Sequence, residues 1–235
     1  MSETMGALGL LKTCDMCSVM RVVIDGTIGS GKTTQLCLLE SKGYTVVREP
    51  IDQWSLDLFY KDPKRWAFML QMQILMSFQA KGRIWERCPM SSNYVFWRNL
   101  QKKKLVSSIE DETYQKYYSK YGWQPDVYIW LVCSPDAAYK RIKARQQTGD
   151  KSITLDYLKE LDSLYSDLLR NMPCKVHILN TEELSEDEVH AKIISILESE
   201  NAVQFADGSG SKVSETGTSR RQVLCAPLPG MCSVS

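Results

Sequence analysis

The sequence lacks an excess of one charge, a long apolar run and a recognisable targeting segment. Its 29 Lys and Arg residues balance 28 Asp and Glu residues, which gives a formal net charge of +1. This balance does not favour a nucleic-acid or membrane-surface binder. No apolar run approaches the ~20 residues needed to cross a bilayer, and the N-terminal region lacks the basic segment and apolar core of a secretory signal. We therefore expect a cytoplasmic protein with neither a nucleic-acid nor a membrane partner.

Cysteine pairs at metal-binding spacing are also nearly missing. The eight cysteines are spread over the chain, and Cys14 and Cys17 form one C-x-x-C pair with no second pair or histidine at a suitable distance. We therefore predict neither a zinc site nor a redox site there. A chain that can bury a large apolar core does not need disulfides, so we expect a reducing compartment.

What is present is an alternation of short apolar runs and longer segments of helical period. Four runs rich in β-branched and aromatic residues predict strands at 20–24, 44–47, 127–133 and 175–179, with a weaker candidate at 83–86. Strands that alternate with helices indicate an α/β fold with a parallel sheet, here a central five-stranded one flanked by helices.

Polar residues and apolar spacing also predict helix boundaries and the extent of the folded domain. Ser134-Pro135 is typical of a helix start, and Ser185 with Glu188 forms a capping box. One apolar stripe repeats every three to four residues and predicts a buried helix face. Its members are Leu158, Leu161, Tyr165 and Leu168. The composition predicts a folded domain at 19–202 between a disordered arm at 1–18 and a disordered tail at 203–235.

A phosphate-binding loop follows the first predicted strand. Residues 26–33 match G-x-x-x-x-G-K-[ST] between an apolar run and a helix-compatible segment. This arrangement directs backbone N–H groups and a helix N-terminus at polyphosphate. Lys32 would reach the outer phosphates, and the Thr33 hydroxyl would ligate Mg²⁺. The predicted ATP-binding residues are Gly26, Thr27, Ile28, Gly29, Ser30, Gly31, Lys32, Thr33 and Thr34.

Acidic residues stand where two later strands end. Glu49 precedes Pro50 at the end of the second strand, the edge at which α/β sheets bind ligands, so it could accept a proton from an attacking hydroxyl. Glu86 and Arg87 end the strand candidate at 83–86. Glu86 could hold Mg²⁺ through water, and Arg87 could neutralise a transferring phosphoryl group. Taken alone, a carboxylate such as Glu49 is more often a solvated charge at a strand end, and Glu86 with Arg87 fits a structural ion pair equally well.

Several motifs in a fixed order resemble those of the deoxyribonucleoside kinase family. They are residues 24–34, Arg48-Glu49-Pro50 with Trp54, residues 60–67, Gln71, and Glu86-Arg87 with Tyr94-Val95-Phe96. The similarity runs from about residue 20 to residue 199. The resemblance implies a P-loop kinase fold with a helical lid, ATP as phosphate donor with Mg²⁺, a small-molecule nucleoside as acceptor, and a homodimer.

The resemblance also implies roles for individual positions. Glu49 corresponds to the general base for the nucleoside 5′-hydroxyl, and Arg87 to the arginine beside that oxygen. Gln71 corresponds to the glutamine that pairs with the base, since its amide offers a donor and an acceptor. Trp54 and Phe96 correspond to aromatic walls of the base site, and Tyr60 to the tyrosine that contacts the sugar 3′-hydroxyl.

In the region of the lid the sequence departs from the family pattern. Arg141 and Arg145, spaced i and i+4, are able to converge on phosphates. They fit a solvated helix face equally well. Gln147 stands where another lid arginine is expected, and Gly149-Asp150 replaces an acidic pair. Asp150 is then the remaining carboxylate for the 3′-hydroxyl.

A second departure is Ser92. Relatives that favour deoxycytidine or purines tend to carry aspartate at this position, and thymidine-accepting relatives a small residue. A small, uncharged serine therefore favours a pyrimidine site with room for the thymine methyl group. Because a methyl-sized difference is worth only ~1–3 kcal/mol, mixed specificity is compatible with this residue.

The sequence thus predicts a deoxynucleoside kinase that phosphorylates the 5′-hydroxyl of thymidine, deoxycytidine or both. One alternative is a thymidylate-type nucleoside monophosphate kinase, which would need further cationic groups for the acceptor's phosphate. Another is a non-catalytic nucleotide-binding regulatory module. The base-reading N-K-x-D tetrapeptide of guanine-nucleotide switches is absent, which disfavours that class.

Overall fold

The computed structural model describes residues 20–145 and 150–207, with side chains up to residue 200. Cys14, Cys17, Gln147, Gly149, the predicted arm at 1–18 and residues 208–235 of the predicted tail lie outside this part of the chain. The chain divides into two compact units, residues 1–196 and residues 197–235. Within the second unit, the described residues 197–207 are helical, so this helix continues past the predicted boundary at residue 202.

Five parallel strands form the sheet of the first unit, as predicted. The strands are β1 (Val22–Gly26), β2 (Val46–Val47), β3 (Ile84–Glu86), β4 (Val127–Val132) and β5 (Lys175–Asn180). They are ordered β2-β3-β1-β4-β5, so β1 lies at the centre. Every residue of β1 is buried, which explains why its apolar run does not alternate with polar residues.

Helices connect the strands and flank the sheet. They are α1 (Lys32–Ser41), α2 (Leu56–Lys61), α3 (Pro63–Ser77), α4 (Pro89–Ser91), α5 (Arg98–Lys102), α6 (Ser108–Tyr121), α7 (Pro135–Arg145), α8 (Leu155–Arg170) and α9 (Glu186–Asp207). Short 3₁₀ turns lie at Ile51–Gln53 and Asp150–Ser152, and a π-helix at Ser92–Trp97 joins α4 to α5. None of the helices in the described ranges is long and apolar enough to cross a membrane.

Capping explains two of these helix boundaries. The Ser134 hydroxyl accepts a hydrogen bond from the Ala137 amide at 3.3 Å, immediately before α7. Ahead of α9, the Glu188 carboxylate accepts from the Ser185 amide at 2.8 Å, and the Ser185 hydroxyl accepts from the Glu188 amide at 3.3 Å. Both predicted caps are confirmed.

The largest apolar core lies against the sheet and contains the predicted helix stripe. Leu161, Tyr165 and Leu168 of α8 pack with Trp85 of β3 and Trp130 of β4. Leu158, the fourth member of the stripe, is fully buried in a neighbouring cluster. The core thereby fixes the orientation of α8 relative to the carboxyl ends of the central strands.

Candidate functional site

The predicted phosphate loop lies between β1 and α1 and is shaped by glycine. Gly29 and Gly31 have φ values of +87° and +93°, which only glycine adopts without strain. A Cβ atom at Gly29 would come within 2.8 Å of the Ala138 carbonyl oxygen on α7. The hydroxyls of Thr27 and Ser30 are buried and have no hydrogen-bond partner within the described residues. The loop therefore has polar groups that protein contacts leave available to a ligand.

Lys32 is buried at the start of α1 and lies against the loop. Its Nζ donates to the Gly26 carbonyl at 3.1 Å and to the Thr27 carbonyl at 2.9 Å. Burial, followed by the nearby positive charge of Arg87, lowers the pKa of Lys32 to about 8. An anionic phosphate group beside the ammonium would favour its charged form.

Glu86, at the end of β3, connects the loop helix to the predicted general base. The exposed Thr33 hydroxyl donates to Glu86 Oε1 at 3.4 Å, and the Glu49 backbone amide donates to Oε2 at 3.3 Å. Thr33, Glu86 and Glu49 therefore share one edge of the sheet. A hydroxyl beside a carboxylate offers the hard oxygen ligands that suit Mg²⁺, which keeps several waters and phosphate oxygens of its own.

Arg87 lies directly behind Glu49. Its Nε donates to Glu49 Oε1 at 3.1 Å, while its Nη1 donates to Asp25 Oδ1 at 2.9 Å and to the Gly26 carbonyl at 3.1 Å. Its backbone has a φ of +62°, in the left-handed region that non-glycine residues rarely occupy. The guanidinium thus joins the end of β1 to the carboxylate that follows β2.

The environment of Glu49 suits a proton acceptor. Its side chain is only 12% exposed. Burial raises the pKa of Glu49 to about 7, although the adjacent Arg87 guanidinium opposes that rise. A carboxylate whose pKa lies near neutral pH can both ionise and accept a proton from a hydroxyl. Lys32 and Glu49 each influence the pKa of the other, so the two predicted catalytic groups lie close together.

Beyond Glu49, the residues predicted to contact a nucleoside have the burial that such a site needs. Gln71 on α3 is 4% exposed, and its Oε1 has no hydrogen-bond partner within the described ranges. The buried indole Nε1 of Trp54 also has no partner there. Two buried polar atoms without partners carry a desolvation cost that a bound nucleobase could remove.

Phe96 and Ser92 both lie in the π-helix that follows β3. The Phe96 ring is partly exposed, and the Arg87 Cζ atom lies 4.9 Å from its centroid. Ser92 is the first residue of this π-helix and is 2% exposed. Single π-helical turns are frequent at functional sites because they redirect side chains within a helix.

Comparison with known proteins identifies this arrangement. A model of the deoxynucleoside kinase family matches residues 22–203. The chain belongs to the deoxynucleoside kinase family. Because that range includes the loop, Glu49, Arg87 and Gln71, the whole site lies inside the family domain. The chain is therefore a kinase, and the resemblance predicted from its motifs is confirmed.

Similar proteins come from viruses and from a eukaryote. This kinase is 32% identical over 190 residues to putative kinase protein 143R of Invertebrate iridescent virus 6, covering 75% of this chain and 97% of the relative. It is 31% identical over 189 residues to deoxyadenosine kinase of Dictyostelium discoideum, covering 74% and 77%. It is 30% identical over 213 residues to the probable deoxycytidine kinase FPV151 of Fowlpox virus, covering 83% and 84%.

Solved structures show the same fold. Deoxyadenosine kinase from M. mycoides with bound dCTP matches this kinase with a TM-score of 0.67 and 24% sequence identity. The match covers 77% of this chain and all of the M. mycoides chain. This likeness confirms the P-loop kinase fold that the sequence predicted.

The two arginines of α7 have different partners in this kinase. Arg145 pairs with both carboxylate oxygens of Asp150 at 2.9 Å. Arg141 instead donates to the Thr181 carbonyl at 2.6 Å and to the Thr181 hydroxyl at 3.0 Å. The two guanidinium groups therefore contact different acceptors in this structure, and their predicted role in binding phosphate stays a prediction.

Asp150 is buried and close to Tyr60. Its carboxylate acts with burial to raise the pKa of the Tyr60 phenol. Tyr60 and Asp150, which the resemblance predicts to contact the sugar 3′-hydroxyl, are therefore close together although they are far apart in sequence. The pairing of Asp150 with Arg145 was not predicted, because residues 146–149 separate them and no local pattern indicated the contact.

Sequence reasoning also missed three residues behind the site. Asp25 is fully buried, and Tyr128 and Tyr165 both donate to its carboxylate, at 2.7 Å and 3.1 Å. Tyr165 was correctly predicted as a core residue, but its hydroxyl also contacts Arg87. The available signal was Asp25 itself, since an acid inside an otherwise apolar strand needs buried partners.

Proposed function

We propose that this kinase transfers the γ-phosphoryl group of ATP to the 5′-hydroxyl of a deoxyribonucleoside, with thymidine and deoxycytidine as favoured acceptors. The observation that carries the proposal is the position of Glu49. The Glu49 carboxylate contacts Arg87 and interacts electrostatically with Lys32, and the Glu49 backbone amide contacts Glu86. A carboxylate in this position supports the proposal, because direct transfer to an alcohol needs a proton acceptor close to the donor phosphates.

In this mechanism the nucleoside 5′-oxygen attacks the γ-phosphorus, the bond from that phosphorus to the bridging oxygen breaks, and ADP leaves. The proton of the 5′-hydroxyl passes to Glu49, which is ionised above pH about 7. Arg87 and Lys32 neutralise charge that develops on the transferred group and on the leaving oxygen. Positioning and charge neutralisation supply most of the acceleration.

The donor phosphates bind to the loop amides of residues 26–33, with Thr34 in the first turn of α1. Thr33 and Glu86 are the residues that would hold Mg²⁺ with the triphosphate. The ion would neutralise the donor phosphates and orient them. Arg141 and Arg145 are the lid residues that would bind the donor phosphates. Each would have to exchange its present partner for a phosphate oxygen.

On the acceptor side, Gln71 pairs with the base through its amide NH₂ group and its Oε1, which has no partner among the residues that the structure describes. Trp54 and Phe96 enclose the ring, Tyr60 and Asp150 hold the 3′-hydroxyl, and the small Ser92 leaves space at the base edge. Because Ser92 adds no charge, it supports a pyrimidine that carries a methyl group.

The deciding experiment is a transfer assay with ATP and Mg²⁺ and five acceptors: thymidine, deoxycytidine, deoxyadenosine, deoxyguanosine and thymidine monophosphate. We expect monophosphate formation, fastest with thymidine or deoxycytidine. Relatives carry the names deoxycytidine, deoxyadenosine, thymidine and deoxyguanosine kinase, so all four nucleosides belong in the assay. Transfer to thymidine monophosphate alone would instead identify a monophosphate kinase.

Light scattering on the same sample tests the homodimer that the resemblance implies, and fractionation of the source cells tests the cytoplasmic location.

A further inference from the structure

The Arg87 guanidinium contacts a buried tyrosine, Tyr165, which is not part of the motifs that carry the family resemblance. Arg87 Nη1 donates to the hydroxyl of Tyr165, which reaches the site from α8. Tyr165 is fully buried, and its hydroxyl also donates to Asp25 Oδ1 at 3.1 Å. Since Arg87 contacts the same carboxylate oxygen at 2.9 Å, the three side chains form a closed triangle.

This triangle fixes the orientation of the guanidinium as well as its position. A guanidinium is planar and rigid, so contacts at two of its nitrogens define its plane. Nη1 contacts Tyr165, Asp25 and the Gly26 carbonyl, and Nε contacts Glu49 at 3.1 Å. Any rotation that follows from loss of the Tyr165 contact therefore moves Nε relative to the Glu49 carboxylate.

Tyr165 also touches the nucleoside side of the site. Its ring meets the Phe96 ring edge to face at 6.3 Å, while Phe96 lies over the Arg87 guanidinium at 4.9 Å. The backbone of Arg87 is already in the left-handed region, at a φ of +62°. Strained backbone persists where surrounding contacts fix it, and it concentrates at catalytic sites. The side-chain triangle supplies such contacts.

We propose that Tyr165 is a positioning residue for phosphoryl transfer: its hydroxyl, anchored on Asp25, orients the Arg87 guanidinium toward Glu49 and the transferring group. The inference rests on the proposed function. It gives Tyr165 a role in the transfer step and leaves nucleoside binding to Gln71, Trp54 and Phe96. A tyrosine that only fills the core would need a polar partner for its hydroxyl, but that partner would not have to be the catalytic arginine.

The test compares Tyr165→Phe with Tyr128→Phe. Tyr128 is a matched control because it is also fully buried and donates to Asp25 at 2.7 Å, but through the other carboxylate oxygen, Oδ2. For Tyr165→Phe we expect kcat to fall about tenfold, the size expected for one hydrogen bond to a charged group, while nucleoside KM changes less than about twofold. The fall in Tyr128→Phe should be several-fold smaller.

The split between kcat and nucleoside KM is the readout that a purely structural role would not move. A lost packing contact should lower thermal stability and raise nucleoside KM, whereas a reoriented guanidinium lowers kcat at a nearly unchanged nucleoside KM. Equal kcat losses in Tyr165→Phe and Tyr128→Phe would overturn the inference while the activity of the unaltered chain still supported the proposed function.

Absence of transfer by the unaltered chain would overturn both proposals. If Tyr165→Phe does not fold, 3,5-difluorotyrosine incorporated at position 165 keeps the ring and hydroxyl but weakens the oxygen as an acceptor for Arg87. A kcat loss of about twofold at an unchanged nucleoside KM would then support the inference. The same kinetics as the unaltered chain would contradict it.

Discussion

The phosphate loop and the acceptor side of the site are built in different ways. The loop is one continuous segment, residues 26–33, and its conformation depends on backbone freedom at Gly29 and Gly31. The acceptor side instead combines side chains from widely separated segments, such as Glu49 after β2, Gln71 on α3 and Asp150 after α7. Phosphate can be bound by backbone N–H groups, whereas recognition of a base and removal of a proton need particular side chains.

The electrostatics of the two sides differ as well. Burial lowers the pKa of Lys32, whereas it raises the pKa of Glu49. Both shifts favour the neutral forms, but the ligands act differently on them. Donor phosphates would restore the charge of Lys32, and a neutral nucleoside leaves Glu49 near its shifted value. We therefore expect the pH dependence of the reaction rate to come chiefly from Glu49, on the acceptor side.

Glu49→Gln should have the largest effect and separates chemistry from binding. Glutamine keeps the size of the side chain but cannot accept the 5′-hydroxyl proton. We expect kcat to fall about 1,000-fold, the middle of the range for general-base catalysis. Nucleoside affinity, measured by titration calorimetry, should change by no more than a few-fold. A kcat close to that of the unaltered kinase would remove Glu49 from the mechanism.

The pH dependence should show the raised pKa of Glu49 directly. The base must be ionised, and its pKa is raised to about 7, so kcat/KM for the nucleoside should fall as pH decreases below about 7. The expected slope is about tenfold per pH unit for loss of one essential proton acceptor. The residual activity of Glu49→Gln should lack this limb. A limb near the ordinary glutamate value in the unaltered kinase would show that burial does not control the base.

The same contrast explains what the sequence could predict. The strands, including the weaker candidate that became β3, and the caps at Ser134 and Ser185 depend on local patterns, and the structure confirms them. Glu49 and Arg87 were candidates because they end predicted strands, but the family resemblance gave them specific roles, since a single acid beside a proline carries little information. Their roles stay predictions until they are measured.

Contacts between distant segments could not be predicted in this way. Nothing local in the sequence pairs Asp25 with Tyr165, or Arg145 with Asp150, since these contacts depend on how α8 and the turn before it pack on the sheet. The π-helix at Ser92–Trp97 was equally inaccessible. An extra residue within a helical turn changes which side chains face the core, and apolar spacing alone does not reveal it.

Gly29→Ala should weaken ATP binding and leave nucleoside binding nearly unchanged. The Cβ atom would come within 2.8 Å of the Ala138 carbonyl at a residue whose φ is +87°. Left-handed backbone costs about 1–2 kcal/mol for a non-glycine residue, so we expect KM for ATP to rise about tenfold while nucleoside KM changes little. Gly43→Ala is the matched control, because φ there is +88° and no atom of the described residues lies within 4 Å of the added Cβ.

Initial-rate kinetics at varied ATP separate the two glycine variants, and thermal unfolding measures their common backbone strain. Both should lose stability, and only Gly29→Ala should raise KM for ATP. Equal KM values in the two variants would mean that the loop conformation is not required for binding the donor.

Ser92→Asp should have the smallest effect and act only on the acceptor side. A carboxylate at this buried position would take space from the thymine methyl group and attract the amino group of cytosine. We expect the ratio of kcat/KM for thymidine to that for deoxycytidine to fall about fivefold, within the range for a methyl-sized change. Ser92→Ala removes the hydroxyl without adding charge and should leave this ratio within about twofold. An unchanged ratio in Ser92→Asp, with KM for ATP also unchanged, would show that Ser92 does not face the base.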